Sequence, residues 1–196
     1  MPSQPPTELT MTDSADIADV LRGRRTIHNF LPDVPPAELI EEAIEIARWA
    51  PNHHHTEPWH FYLLGPESIA KVVDLNARLV AEKKGEEAGE AKRKRWSTIP
   101  GWLVVTCDRS EDPLRQNEDY AACCCAVQNL SLALWTHGVG VKWTTGAVTR
   151  HPNLFELLGA NPNQERSIGI FWYGYPAGDA PAQKRKPVSE ILKRVP

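Results

Sequence analysis

The stretches of this chain able to form a sheet are few and lie far apart, and that spacing constrains the fold most. Residues 60–64, 102–106 and 168–173 are short runs rich in aromatic and β-branched side chains, the composition of strands. Gly65-Pro66 stops the first, and Gly174 with Pro176 stops the last. Residues 140–143 read as a further strand or extended segment. Between these runs the apolar residues recur at helical spacing. Leu39, Ile40, Ala43, Ile44 and Ala47 line one face of a helix whose first turn holds Pro36. A helix from Pro66 carries Ile69, Val72, Val73, Asn76, Leu79 and Val80 on one side. From about Pro113 to His137 a long helix presents Ala122, Cys125, Ala126, Asn129, Leu132 and Ala133. The small size of that face predicts close packing on another helix. The pattern predicts an α+β domain with a small sheet and helices on both of its faces.

The 196 residues, 41% hydrophobic and 24% charged, suffice for one domain with a sizeable core. A formal net charge of −3 gives no electrostatic reason to expect nucleic acid or a membrane surface. No apolar run approaches the roughly 20 residues needed to cross a bilayer. Residues 1–13 are polar and Pro-rich and lack a secretory pattern; they are expected to form a flexible tail on a single domain over 14–196. Cys107 and the run Cys123-Cys124-Cys125 form no disulfide framework. The expected location is therefore cytoplasmic. Residues 82–98 mix charges without apolar periodicity and include Gly85 and Gly89, the signature of a solvated excursion and a candidate lid.

Common catalytic motifs are absent. Gly138-Val139-Gly140 follows a helix and precedes a strand, the reverse of a dinucleotide fingerprint. There is no P-loop, nucleophile elbow or zincin helix. Two features suggest metal. His53-His54-His55 lies in a polar loop where alternation allows only His53 and His55 to share a side, and the cysteine triplet is unusually spaced for thiolate ligands. A non-catalytic metal-binding protein using both clusters is the alternative to an enzyme.

The remaining polar segments form an ordered set: RRTIHNF (24–30), RWAPNHHHTEPWHF (48–61), the helix end from Gln128-Asn129-Leu130 to Gly140, KWTTGA (142–147) and KRKPVSEIL (184–192). In order and spacing this set resembles the nitroreductase family, in particular its short, minimal branch. The resemblance implies a nitroreductase-like α+β fold, with a small central mixed sheet flanked by helices in an intertwined homodimer. It also implies FMN at the subunit interface and NAD(P)H as co-substrate. A small electron-poor acceptor, nitro or quinone, takes the electrons in a ping-pong cycle. Carried onto this sequence, Arg24, Arg25, Thr26 and His28 bind the cofactor, and His53 reaches it from the other subunit. Trp143, Thr144 and Thr145 run along ring and ribityl chain, while Arg185 binds phosphate with Lys184 as a helper. No catalytic side chain is expected, because hydride transfer is the flavin's own chemistry. His28 departs from the family pattern, which has Lys or Arg there, and an unperturbed imidazole is half charged near pH 6.5.

Overall fold

The computed structural model describes residues 14–196; the expected tail over 1–13 lies outside them. Helix α1 (Ser14–Gly23) leads by an extended segment to α2 (Ala37–Ala47), a 3₁₀ turn (His53–His55) and β1 (Trp59–Leu63). Helices α3 (Pro66–Lys84) and α4 (Glu86–Trp96) precede β2 (Gly101–Asp108) and the long α5 (Pro113–Thr136). Strand β3 (Gly140–Thr144), a second 3₁₀ turn (Ala147–Arg150), α6 (Pro152–Leu158), β4 (Glu165–Gly174) and α7 (Val188–Ile191) complete the chain.

The four strands lie in the order β1-β2-β4-β3. All three pairings are antiparallel, where a mixed sheet was expected. The physical reason is the strand order: β2 and β3, joined across α5, run the same way, but β4 inserts between them and runs opposite to both. The parallel element among the described residues is an isolated bridge from Thr26 to Val141.

Period-two alternation divides the sheet between two cores. Leu103, Val105 and Cys107 of β2, with Ile168, Phe171 and Tyr173 of β4, pack on α2 and α5. The intervening Trp102, Val104, Ile170 and Trp172 pack on α3 and on Trp96, Ile99 and Leu154. Helix α5 does pack on a helix, α2, but its face is turned from the expected one: Cys123, Ala126, Val127 and Leu130 are buried with Ile40, Ala43 and Ala47, whereas Cys125 is exposed.

The charged stretch forms the end of α3 and the helix α4; its charged side chains are largely solvated, as expected, while Gly89 and Trp96 of α4 are buried. Gly89 lets α4 lie directly on α3: a Cβ there would sit 2.8 Å from the Ala77 carbonyl oxygen and from Ala81 Cβ. Trp96 fixes the end of the hairpin, its ring centroid 5.4 Å from that of Trp102 and 5.0 Å from that of Trp172. Edge-on aromatic pairs of this kind contribute about 0.5–1.5 kcal/mol each beyond area burial. Trp102 and Trp172 are core, and Trp59 packs partly buried. Trp49 is 76% exposed, so in the single chain it is not core.

Candidate functional site

The site is built on the extended segment that follows α1. Helix α1 closes with Arg24 N–H donating to the Val20 carbonyl at 3.0 Å, after which the chain straightens. Ile27 turns inward, 3% exposed, and its N–H donates to the Val141 carbonyl at 3.2 Å. Gly140 makes this docking feasible, since a Cβ there would overlap Ile27 Cγ1. On the other side, Leu31 N–H donates to Tyr175 O at 2.8 Å and Ala177 N–H to Asn29 O at 3.1 Å. The segment is thereby sewn between β3 and the chain leaving β4. With Ile27 inward, Thr26 and His28 face outward.

Two cavities flank Thr26. One, of about 310 Å³, is lined by Arg22, Arg24, Arg25, Thr26, Gln183 and Arg185 with Leu21. Among the described residues, four guanidiniums line it and no carboxylate does. Arg24 Nε is buried and has no hydrogen-bond partner. A buried charged donor left unpaired is costly, and a phosphate group would satisfy it bidentately. The FMN phosphate therefore fits this cavity. Arg25 is partly engaged elsewhere: its Nη1 donates to the carbonyls of Arg22 at 2.5 Å and Gly23 at 2.9 Å, capping the negative end of α1. The second cavity, of about 270 Å³, lies between residues 26–29 and 177–181.

His28 sits against the α4 hairpin, where Arg95, Thr98 and Ile99 complete a smaller cavity with Asn29 and Phe30. Burial, then the charges of Lys142 and Arg95, push its imidazole below the ordinary value. It therefore carries less positive charge near pH 6.5 than the half that an unperturbed imidazole would. Positive charge on this side comes instead from Lys142, whose Nζ lies 4.8 Å from the Trp172 ring centroid, and from Arg95. Neither was singled out in the sequence; only the sheet register and the folded hairpin bring them to His28.

Trp143 lies on the α5 side of β3, its indole N–H donating to the Ile168 carbonyl at 2.9 Å and its ring 5.2 Å from Phe171. Gly169 accommodates it, because a Cβ there would meet the indole nitrogen. Thr144 ends the strand, and Thr145 lines a separate cavity containing Arg109, Arg150 and Arg166.

His53 lines none of these cavities; its Nδ1 lies 3.1 Å from Glu118 Oε1 on α5. The loop is folded rather than extended, with positive φ at His54 (63°), His55 (50°) and Glu57 (46°). His53 therefore stacks on His54 at 3.9 Å instead of sharing a side with His55. Among the described residues, His53, His54 and Glu118 form a group whose ligand atoms lie within 4.8 Å of one another. No cysteine belongs to it. Cys123 is buried, and the Cys107 thiol together with desolvation pushes its thiol far up, so it is no thiolate ligand.

Comparison with known proteins decides the family. The model described as "Nitroreductase family" matches residues 21–175, most of the chain. The chain belongs to the nitroreductase family. YfhC of Bacillus subtilis, provisionally named an NAD(P)H nitroreductase, is 30% identical over 178 residues, covering 89% of this chain and 91% of that protein. The crystal structure of a nitroreductase-like family protein from Bacillus cereus superposes with a TM-score of 0.80 at 29% identity, over 91% of this chain and 95% of that one. A Bacteroides fragilis nitroreductase with bound FMN shares the fold, with a TM-score of 0.73 at 19% identity over 92% and 99% of the two chains. The nitroreductase match spans the opening segment, the His loop and β3; Arg185 lies beyond it and is brought back by the chain after β4. Among the described residues no helix is long and apolar enough to cross a membrane.

Proposed function

We propose that the chain is an FMN-dependent oxidoreductase that passes electrons from NAD(P)H to nitro, quinone or related electron-poor acceptors in a ping-pong cycle. The observation that carries this reading is Arg24 Nε, buried and unpaired in a cavity of four arginines that lacks any acidic lining residue. Bound flavin supplies hydride acceptance and donation, and the protein supplies position and charge. Arg24 and Arg185 hold the phosphate, with Arg25 as the connection between that cavity and the end of α1. Thr26 and His28 line the path away from it. Lys142 and Arg95 keep the far end positive, which favours negative charge on whatever ring lies there. The α3–α4 hairpin serves as a fixed wall on that side, held by Trp96.

The working unit in this reading is a homodimer with the flavin between subunits. Exposed apolar residues support it: Ile17 and Leu21 on α1, Ile46 and Trp49 at the end of α2, and Val188 and Ile191 on α7. Large apolar side chains exposed together mark a surface that gains by burial. The His53 loop contributes nothing to the lining of its own chain's arginine cavity, and in this reading it serves the other subunit's site.

The test is spectroscopic. Purified protein reconstituted with FMN should bleach on anaerobic addition of NADH or NADPH and recover colour on adding a nitroarene or a quinone. Parallel double-reciprocal plots would accompany a ping-pong order. A colourless chain that refuses FMN yet binds a divalent cation one-to-one at His53, His54 and Glu118 would favour the metal reading instead.

A further inference from the structure

A second set of arginines lies apart from Arg24 and Arg185. Arg109, Arg150 and Arg166 converge on a cavity of about 490 Å³ between the start of β4, the second 3₁₀ turn and α6. Each guanidinium is held in place without being neutralised. Arg109 Nε donates to the carbonyls of Pro162 at 2.8 Å and Glu165 at 3.0 Å. Arg150 Nη1 donates to the Thr145 carbonyl at 3.3 Å. Arg166 stacks over the Tyr120 ring at 4.7 Å. None of the three forms an ion pair with a carboxylate among the described residues. The lining contains no acidic side chain. The nearest candidate by sequence, Glu165, is turned to the opposite sheet face, where Tyr62 donates to it at 2.8 Å and Thr106 donates as well.

Hydroxyls complete the set. Thr145 and Thr149 line the cavity, and Ser167 Oγ is closed off from solvent without a hydrogen-bond partner. Three cations at one cavity repel one another until an anion enters, and an unpaired shielded hydroxyl is unfavourable until a partner does. The free N–H edges of several planar guanidiniums suit a tetrahedral dianion better than a single carboxylate. Phe155 and Ile168 supply an apolar side to the same space. The volume therefore holds more than a free anion.

We propose that this cavity binds a phosphate monoester, its dianionic group held by Arg109, Arg150 and Arg166 and its organic part against Phe155 and Ile168. The site stands on its own residues and is separate from the arginine cavity assigned to FMN. The chemistry has two sources, the 2′-phosphate of NADPH or a phosphorylated acceptor.

The experiment is calorimetric titration of the FMN-reconstituted full chain at low salt with 2′-AMP, 5′-AMP, inorganic phosphate and adenosine. Both nucleotides are expected to bind and adenosine is not. Arg166→Gln and Arg150→Gln should each weaken 2′-AMP about tenfold or more, the loss for a charged hydrogen bond. Arg78→Gln, at an exposed arginine of α3, should leave it unchanged. Tighter binding of 2′-AMP than of 5′-AMP by tenfold assigns the site to NADPH; equal binding assigns it to a phosphorylated acceptor. Absence of heat with all phosphate compounds overturns the proposal, as does unweakened 2′-AMP binding in both Arg166→Gln and Arg150→Gln. Should Arg166→Gln fold poorly for want of its Tyr120 contact, Arg150→Gln, which gives up one long hydrogen bond, decides alone. The same titrations on protein never exposed to FMN separate the two readings. A chain that takes no FMN but binds 2′-AMP loses only the flavin assignment, and the reverse result removes only this site.

Discussion

Arg24 and Arg25 are adjacent in sequence but do different things. Arg24 offers an unpaired buried Nε to a cavity, whereas Arg25 spends donors on the carbonyls ending α1. Replacing Arg25 by Gln should therefore lower thermal stability, by about 0.5–1 kcal/mol for a helix-end cation, with a smaller loss of FMN retention than Arg24→Gln. Thermal melts and flavin fluorescence on the two variants check this. His28 carries a pH prediction. Its folded pKa is lowered by burial and by Lys142 and Arg95, so between that value and the ordinary 6.5 the unfolded chain binds more protons. Stability must then rise with pH through this window and level off above it. Urea midpoints from pH 5 to 8 should show that rise in the wild type and a shallower one in His28→Gln; identical slopes would remove His28 as its source.

At the scale of elements, the α3–α4 hairpin carries the clearest packing prediction. Gly89→Val places methyls against the Ala77 carbonyl and Ala81, which should cost about 1–3 kcal/mol as overpacking, measured by chemical denaturation. Trp96→Ala should cost about 3–5 kcal/mol, the range for deleting a large buried aromatic. The hairpin also marks where sequence reading stopped. Composition recovered β1, β2 and β4 as short aromatic and β-branched runs, and periodicity recovered α2, α3 and α5 as helices with an apolar face. Helix α4 has almost none: Gly89 and Trp96 are its buried residues, so its docking rests on one absent side chain and one ring. Likewise Lys142 and Arg95 lie far apart in sequence and meet only through folding. The basic segment 24–28 was legible because its residues are contiguous, and Arg185 because its motif is short and local. The positive φ values that fold the His53 loop belong to His54, His55 and Glu57; His is enriched in that region, but positive φ is so uncommon outside Gly that residue type alone does not foretell the loop.

For the molecule as a whole, the exposed apolar residues of α1, α2 and α7 predict self-association. Sedimentation velocity should give a dimer, and Trp49→Glu with Leu21→Glu should shift it toward monomer and release FMN together. A wild-type monomer that retains flavin would separate the cofactor from the interface. The central claim is that the Arg24–Arg185 cavity holds the phosphate of a flavin nucleotide, and the preference for FMN over riboflavin tests it most directly. Fluorescence titration should show wild type binding FMN at least about a hundredfold tighter than riboflavin, as two charged hydrogen bonds provide. In Arg24→Gln that preference should fall about tenfold or more, with riboflavin affinity unchanged. Equal affinities for the two flavins in the wild type, or an unaltered preference in the variant, would contradict it.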